Sequence, residues 1–135
     1  MSDLPEYYFR IRENGAVVFR VDTENRQRRI EMIELATVNV KNGTIKPHGD
    51  VTLTPDEVAA IRTWIADRTA LLARRDIDDI HRAVDYLNTT TQWVQSRASD
   101  DQLDLVTDAL LLAMHDLRTV LVRRKADRLA KDSAP

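Results

Sequence analysis

The stretch DTENRQRRIEM, residues 22–32, places three arginines within four positions: Arg26, Arg28 and Arg29. Guanidinium groups at that density could grip the oxygens of a phosphate backbone. Glu24, Glu31 and Glu34 stand around them, however, and a phosphate-binding stretch is not normally neutralised in place. By itself the stretch reads as a solvated loop. A second basic group, Arg124, Arg128 and Lys131, recurs at helical spacing with only Asp127 among it. These six residues are the candidate nucleic-acid contacts, and the later three carry more weight because fewer carboxylates oppose them.

Other chemistry is sparse. His48 and Asp50 share a loop and could form a weak acid–base pair, but Pro47, Gly49 and Asp50 around His48 make a turn the simpler reading. In DIDDIH, residues 76–81, Asp78 and His81 stand on one helix side with Asp85, a spacing that could hold a hard divalent ion. Acidic residues also belong in the first turn of a helix, where the dipole favours them, so no metal ligands are assigned. The three glycines lie too far apart to cradle a phosphate, and none of Ser2, Ser96, Ser99 and Ser133 sits in a nucleophile elbow. The chain has no cysteine, which excludes disulfides, thiolate metal sites and cysteine nucleophiles. No catalytic residue and no cofactor is expected.

Residues suited to protein contact are more evident. Arg82, Tyr86 and Trp93 lie on one stripe with Arg75, Asp79 and Arg97, roughly opposite a heptad-spaced seam of Ile77, Ile80, Val84, Leu87, Thr91, Val94 and Ala98. Aromatic rings interleaved with arginine are typical of interface hot spots; packing against the rest of the fold is the plainer alternative. ALLLAM, residues 109–114, is apolar almost all round, and Leu105, Leu111 and Leu112 face away from the main apolar stripe of their helix. Asp100, Asp101, Asp104, Asp108 and Asp116 precede a half that holds Arg118, Arg123, Arg124, Lys125, Arg128 and Lys131. A helix so divided could pair antiparallel with a second copy about a two-fold near residue 114, the charges setting orientation and Leu105, Leu111 and Leu112 supplying the burial.

Those residues need a frame. The chain of 135 residues, 43% hydrophobic with a formal net charge of −2, suits a single domain, residues 1–135, with a real core. Residues 1–53 read as an antiparallel β-meander of three or four strands. Asn14-Gly15 and Asn42-Gly43 mark the hairpins. A three-residue loop, Glu13 to Gly15, would set Phe9 opposite Phe19, Ile11 opposite Val17 and Tyr7 opposite Val21, with Gly15 left-handed in a bulge. Residues 28–41 slip in phase and read as a bulged strand rather than a short helical turn; Thr44–Lys46 returns beside it.

Three helices are expected after the meander, at about 54–74, 76–98 and 99–130, with residues 131–135 a frayed tail. Thr54, Pro55 and Glu57 form a capping box at the first start, and Ser99 and Gln102 form another at the last. Nothing but a rotation of the apolar stripe near Arg75-Asp76 separates the first two helices. Arg68 lies within the first stripe, among Trp64, Ile65, Leu71 and Leu72, where its guanidinium must pair, stack or snorkel.

The fold class is therefore α+β. The leading reading is a small, non-enzymatic adaptor or regulator acting through protein contacts and self-association. The alternative is a nucleic-acid-binding regulator using the basic end of the last helix. A small-molecule or metal-binding domain is a weaker third. With no apolar run of membrane length and an acidic N-terminus, MSDLPEYY, that lacks an apolar leader, the expected location is the cytoplasm, away from membranes.

Overall fold

A computed structural model describes residues 4–24 and 29–133. Four strands, β1 (Tyr7–Arg12), β2 (Gly15–Asp22), β3 (Glu31–Asn39) and β4 (Ile45–Pro47), precede two helices, α1 (Pro55–Ser96) and α2 (Asp100–Asp132). The residues group into two compact units, Met1–Ile80 and His81–Pro135, and α1 contributes to both.

The strands form one antiparallel meander in the order β1-β2-β3-β4. The first hairpin departs from expectation. Arg12 pairs with Gly15, Ile11 with Ala16 and Phe9 with Val18, so the loop is the two residues Glu13 and Asn14. The register is one residue away from the expected one, which moves Phe19 to the opposite face from Phe9. Apolar alternation could not decide this, because both faces of β2 are apolar. The third strand decides it. Ala16 pairs with Val38 and Val18 with Ala36, so these four line one face. Gly15 is needed for a different reason from the one expected. It is not left-handed; a Cβ there would lie 1.9 Å from the Val38 carbonyl oxygen. The close approach of β3 excludes a side chain.

The bulge expected in the third strand is present. Val18 pairs with Ala36 and Phe19 with Glu34, leaving Leu35 as the extra residue. Leu35 and Ala36, adjacent in sequence, both enter the core as a result. At the second hairpin Asn39 Oδ1 accepts from the Lys41 and Asn42 amides at 2.9 and 3.3 Å. Gly43 then turns the chain at φ +71°, and its carbonyl accepts from the Arg62 guanidinium at 3.0 Å. Residues 48–51 are a turn, closed by Val51 N–H donating to His48 O at 2.9 Å, and His48 Nδ1 meets the Glu34 carboxylate.

The start of α1 is the expected capping box. Glu57 N–H donates to Thr54 Oγ1 at 3.1 Å and Thr54 N–H to Glu57 Oε1 at 2.8 Å. Glu57 is buried, and this reciprocal bond satisfies it. One turn on, Ile61 inserts into a core of Ala16, Val18, Leu35, Ala36 and Val38, flanked by Tyr7, Phe9, Ile45, Trp64 and Ile65. The two alanines let the helix settle close to the sheet. Arg68 is half-buried in the same stripe. Beside the cap, burial of the Tyr7 phenol, reinforced by the nearby Glu6 and Glu57 carboxylates, pushes its pKa above the ordinary value.

The expected three helices are two. No break occurs at Arg75-Asp76, and α1 continues for 42 residues. No Gly or Pro interrupts residues 56–98, and every turn can close its backbone bonds. The rotation of the stripe does not mark an end; every residue of the helix from Leu72 to Thr89 is exposed.

Candidate protein interface on the helical unit

The second unit begins within α1 and contains all of α2. Three residues connect the helices. Arg97 and Ala98 both donate N–H bonds to Trp93 O at 2.9 Å, the second across five residues, which widens the chain's exit from α1. Ser99 then caps α2: Gln102 N–H donates to Ser99 Oγ at 3.2 Å, and Ser99 N–H to Gln102 Oε1 at 3.0 Å. The expected capping box is thus formed.

The end of α1 and the start of α2 line two grooves, which share Thr90, Val106 and Leu110. On one side Tyr86, Trp93 and Arg97 meet Leu105 and Ala109. On the other, Leu87 and Val94 meet Leu103, Leu111 and Met114. Among the described residues of this unit, the half-buried ones are Thr90, Trp93, Ala98, Leu103, Val106 and Leu110.

The second groove has no charged lining residue, although 31% of the chain is charged. Its threonines make no demand on a ligand. The hydroxyls of Thr90, Thr91 and Thr107 donate to the carbonyls of Tyr86, Leu87 and Leu103 one turn back, at 2.8, 3.0 and 2.6 Å. Loss of charge, with these hydroxyls satisfied internally and Gln95 the one other polar side chain in the lining, is the character of the centre of a protein contact.

Beyond the grooves the apolar surface is uncovered. No residue of the unit from His81 to Ser133 is buried. Val84, Leu87 and Val94 of the heptad-spaced seam are exposed, as are Met114, Leu117, Val120 and Leu121 of α2. In the first unit Ile77 and Ile80 are exposed as well.

The expected contact residues therefore divide. Trp93 is half-buried in the first groove, which Tyr86 and Leu105 line from positions 75% and 83% exposed. Leu111 lines the second groove. Leu112 is exposed and lines neither. Arg82 is exposed at the surface of α1. A reading by sequence passed over Leu87, Val94 and Met114 as contact residues, because heptad spacing alone does not tell a covered seam from an open one.

The basic candidates also divide. Arg124, Arg128 and Lys131 border one shallow hollow on α2 with Leu121 and Lys125; Arg128 Nε stands 4.0 Å from Asp132, at the limit of an ion pair. Arg29 is exposed. Arg26 and Arg28 lie outside the described residues. Among the described residues no three His, Cys, Asp or Glu side chains gather where they could hold a metal ion, and no helix is long and apolar enough to cross a membrane.

Compared with protein families, with curated proteins and with solved structures, the chain finds no match.

Proposed function

We propose that this chain is a small non-enzymatic adaptor or regulator that works through protein contacts and self-association, with the helical unit as its contact element. The observation that carries the reading is the absence of any buried residue between His81 and Ser133. Monomers rarely leave contiguous apolar patches beyond a few hundred Å² in water. Burial is worth roughly 25 cal/mol per Å² of apolar surface, so a partner covering Leu87, Val94, Met114 and Leu121 gains considerably. Helices also draw most of their stability in proteins from tertiary packing of an apolar face, and α2 has little of that within its own chain. The cysteine-free composition fits a reducing compartment, the cytoplasm.

Sedimentation of the full chain over a range of concentrations tests the reading. The expected species is a multiple of 15.5 kDa. A single 15.5-kDa species throughout, with helical circular dichroism intact, would remove self-association.

A nucleic-acid-binding regulator is the second reading. Its support is the hollow bordered by Arg124, Lys125, Arg128 and Lys131, with Asp127 the one acidic residue in its lining. Clustered cations of this kind release counterions from a phosphate backbone, and such binding falls steeply with salt.

A further inference from the structure

We infer that the partner of α2 is a second copy of α2, paired antiparallel along one seam with the two-fold axis beside Met114. The inference rests on the self-association proposed above and names its occupant and register. Counting along α2, Asp104, Thr107, Leu111, Met114, Arg118, Leu121 and Lys125 recur at strict alternating steps of three and four residues. That spacing places them on one side of the helix, as in a coiled-coil seam. The seam runs from acidic through apolar to basic. Its centre adjoins the charge-free groove, which Thr107, Leu111 and Met114 line. Leu111, Met114 and Leu121 are more than half exposed.

A seam with this order is complementary to itself when reversed. With Met114 on the axis, each seam position n meets its partner at 228 − n or 229 − n. Asp104 then falls opposite Lys125, Leu121 opposite Thr107, and Leu111 opposite Arg118, whose aliphatic stem can cover the leucine. Asp100, one step before Asp104, falls opposite Arg128. Both copies supply each contact, so the charged pairs form twice, as a closed two-fold interface requires. A parallel pairing sets Asp104 on Asp104, Arg118 on Arg118 and Lys125 on Lys125. Sliding the antiparallel pair by one heptad either sets Arg118 on Arg118, or keeps one charged pair, Asp104 with Arg118, and leaves Lys125 and Arg128 beyond the start of the partner's α2. The charges thus select orientation and register, while burial of Leu111, Met114 and Leu121 supplies the driving force. A second copy fits this face better than an unrelated protein because α2 already carries both halves of the charge pattern.

Cross-linking and charge reversal in the full chain provide the test. The chain has no cysteine, so one cysteine at a time can be introduced cleanly. Met114→Cys, on the axis, is expected to form an inter-chain disulfide under mild oxidation; Leu112→Cys, off the seam, is not. Asp104→Lys and Lys125→Asp should each weaken the dimer roughly tenfold at low salt, with less effect at high salt. Combining them restores the pairs and should recover the original affinity. An assembly heavier than 15.5 kDa that is indifferent to these changes overturns the seam and leaves self-association standing. A chain that remains at 15.5 kDa at every concentration overturns both.

Discussion

Phe9 of β1 and Trp64 of α1 stack with ring centroids 4.7 Å apart and planes 3° from parallel. The pair ties the edge strand to the helix beside the Ile61 core. Trp64→Ala removes the larger ring and leaves Phe9 facing water, which should cost about 2–4 kcal/mol. Chemical denaturation of the variant checks this; a change below about 0.5 kcal/mol would mean that the stack contributes little to the fold.

Gly15 and Gly43 should respond differently to asparagine. Gly43 turns the chain at φ +71°, a conformation that asparagine tolerates better than most residues, so Gly43→Asn should be mild. Gly15 lacks room for any Cβ because of the Val38 carbonyl. Gly15→Asn should therefore lower stability as much as Gly15→Ala, by about 1–3 kcal/mol or more. Equal tolerance of asparagine at both sites would argue against the close approach.

Tyr7 gives the fold an alkaline limb. Its pKa is raised in the folded chain, first by burial and then by Glu6 and Glu57. The neutral phenol is thus favoured in the native state. Its stabilisation is intact below the unfolded pKa, near 10, and is lost as pH rises through the higher folded value. Thermal unfolding should show stability falling above about pH 10, and Tyr7→Phe should make that fall shallower. An unchanged slope would mean that Tyr7 ionises as freely in the fold as in the unfolded chain.

Tyr86 and Trp93, though on one stripe, should separate on truncation. Tyr86 is largely exposed and Trp93 is half-buried between the helices. Tyr86→Ala should shift stability by less than about 0.5 kcal/mol, whereas Trp93→Ala should cost more than about 1 kcal/mol. If the stripe also serves a partner, Tyr86→Ala weakens binding with the melting temperature unchanged.

Nucleic-acid binding, if the second reading holds, should depend on Arg124, Arg128 and Lys131. Gel-shift titrations of DNA and RNA at low salt, with the triple alanine variant alongside, measure it. The variant should lose most of the shift, and the salt slope should fall by about one for each phosphate contact removed. No shift from the unmodified chain at micromolar protein would retire this reading.

Sequence alone determined the parts of this protein that depend on neighbours a few residues apart. The caps at Thr54 and Ser99 are local bonds between a side chain and a backbone three positions away, and both form as expected. The turn at Gly43 and the bulge in β3 were legible for the same reason, one from residue type and the other from a slip in alternation. The division of α2 into acidic and basic halves needs no structure at all. Tertiary structure decided what depends on distant partners. Both faces of β2 are apolar, so only its pairing with β3 could fix the register at Gly15. The stripe of α1 rotates within one unbroken helix, and local rules cannot distinguish that rotation from a break. Nor can spacing reveal whether a seam is covered. Val84, Leu87 and Val94 recur as a helix core would, yet they stand in water, because burial belongs to whatever lies opposite a residue and not to the residue itself.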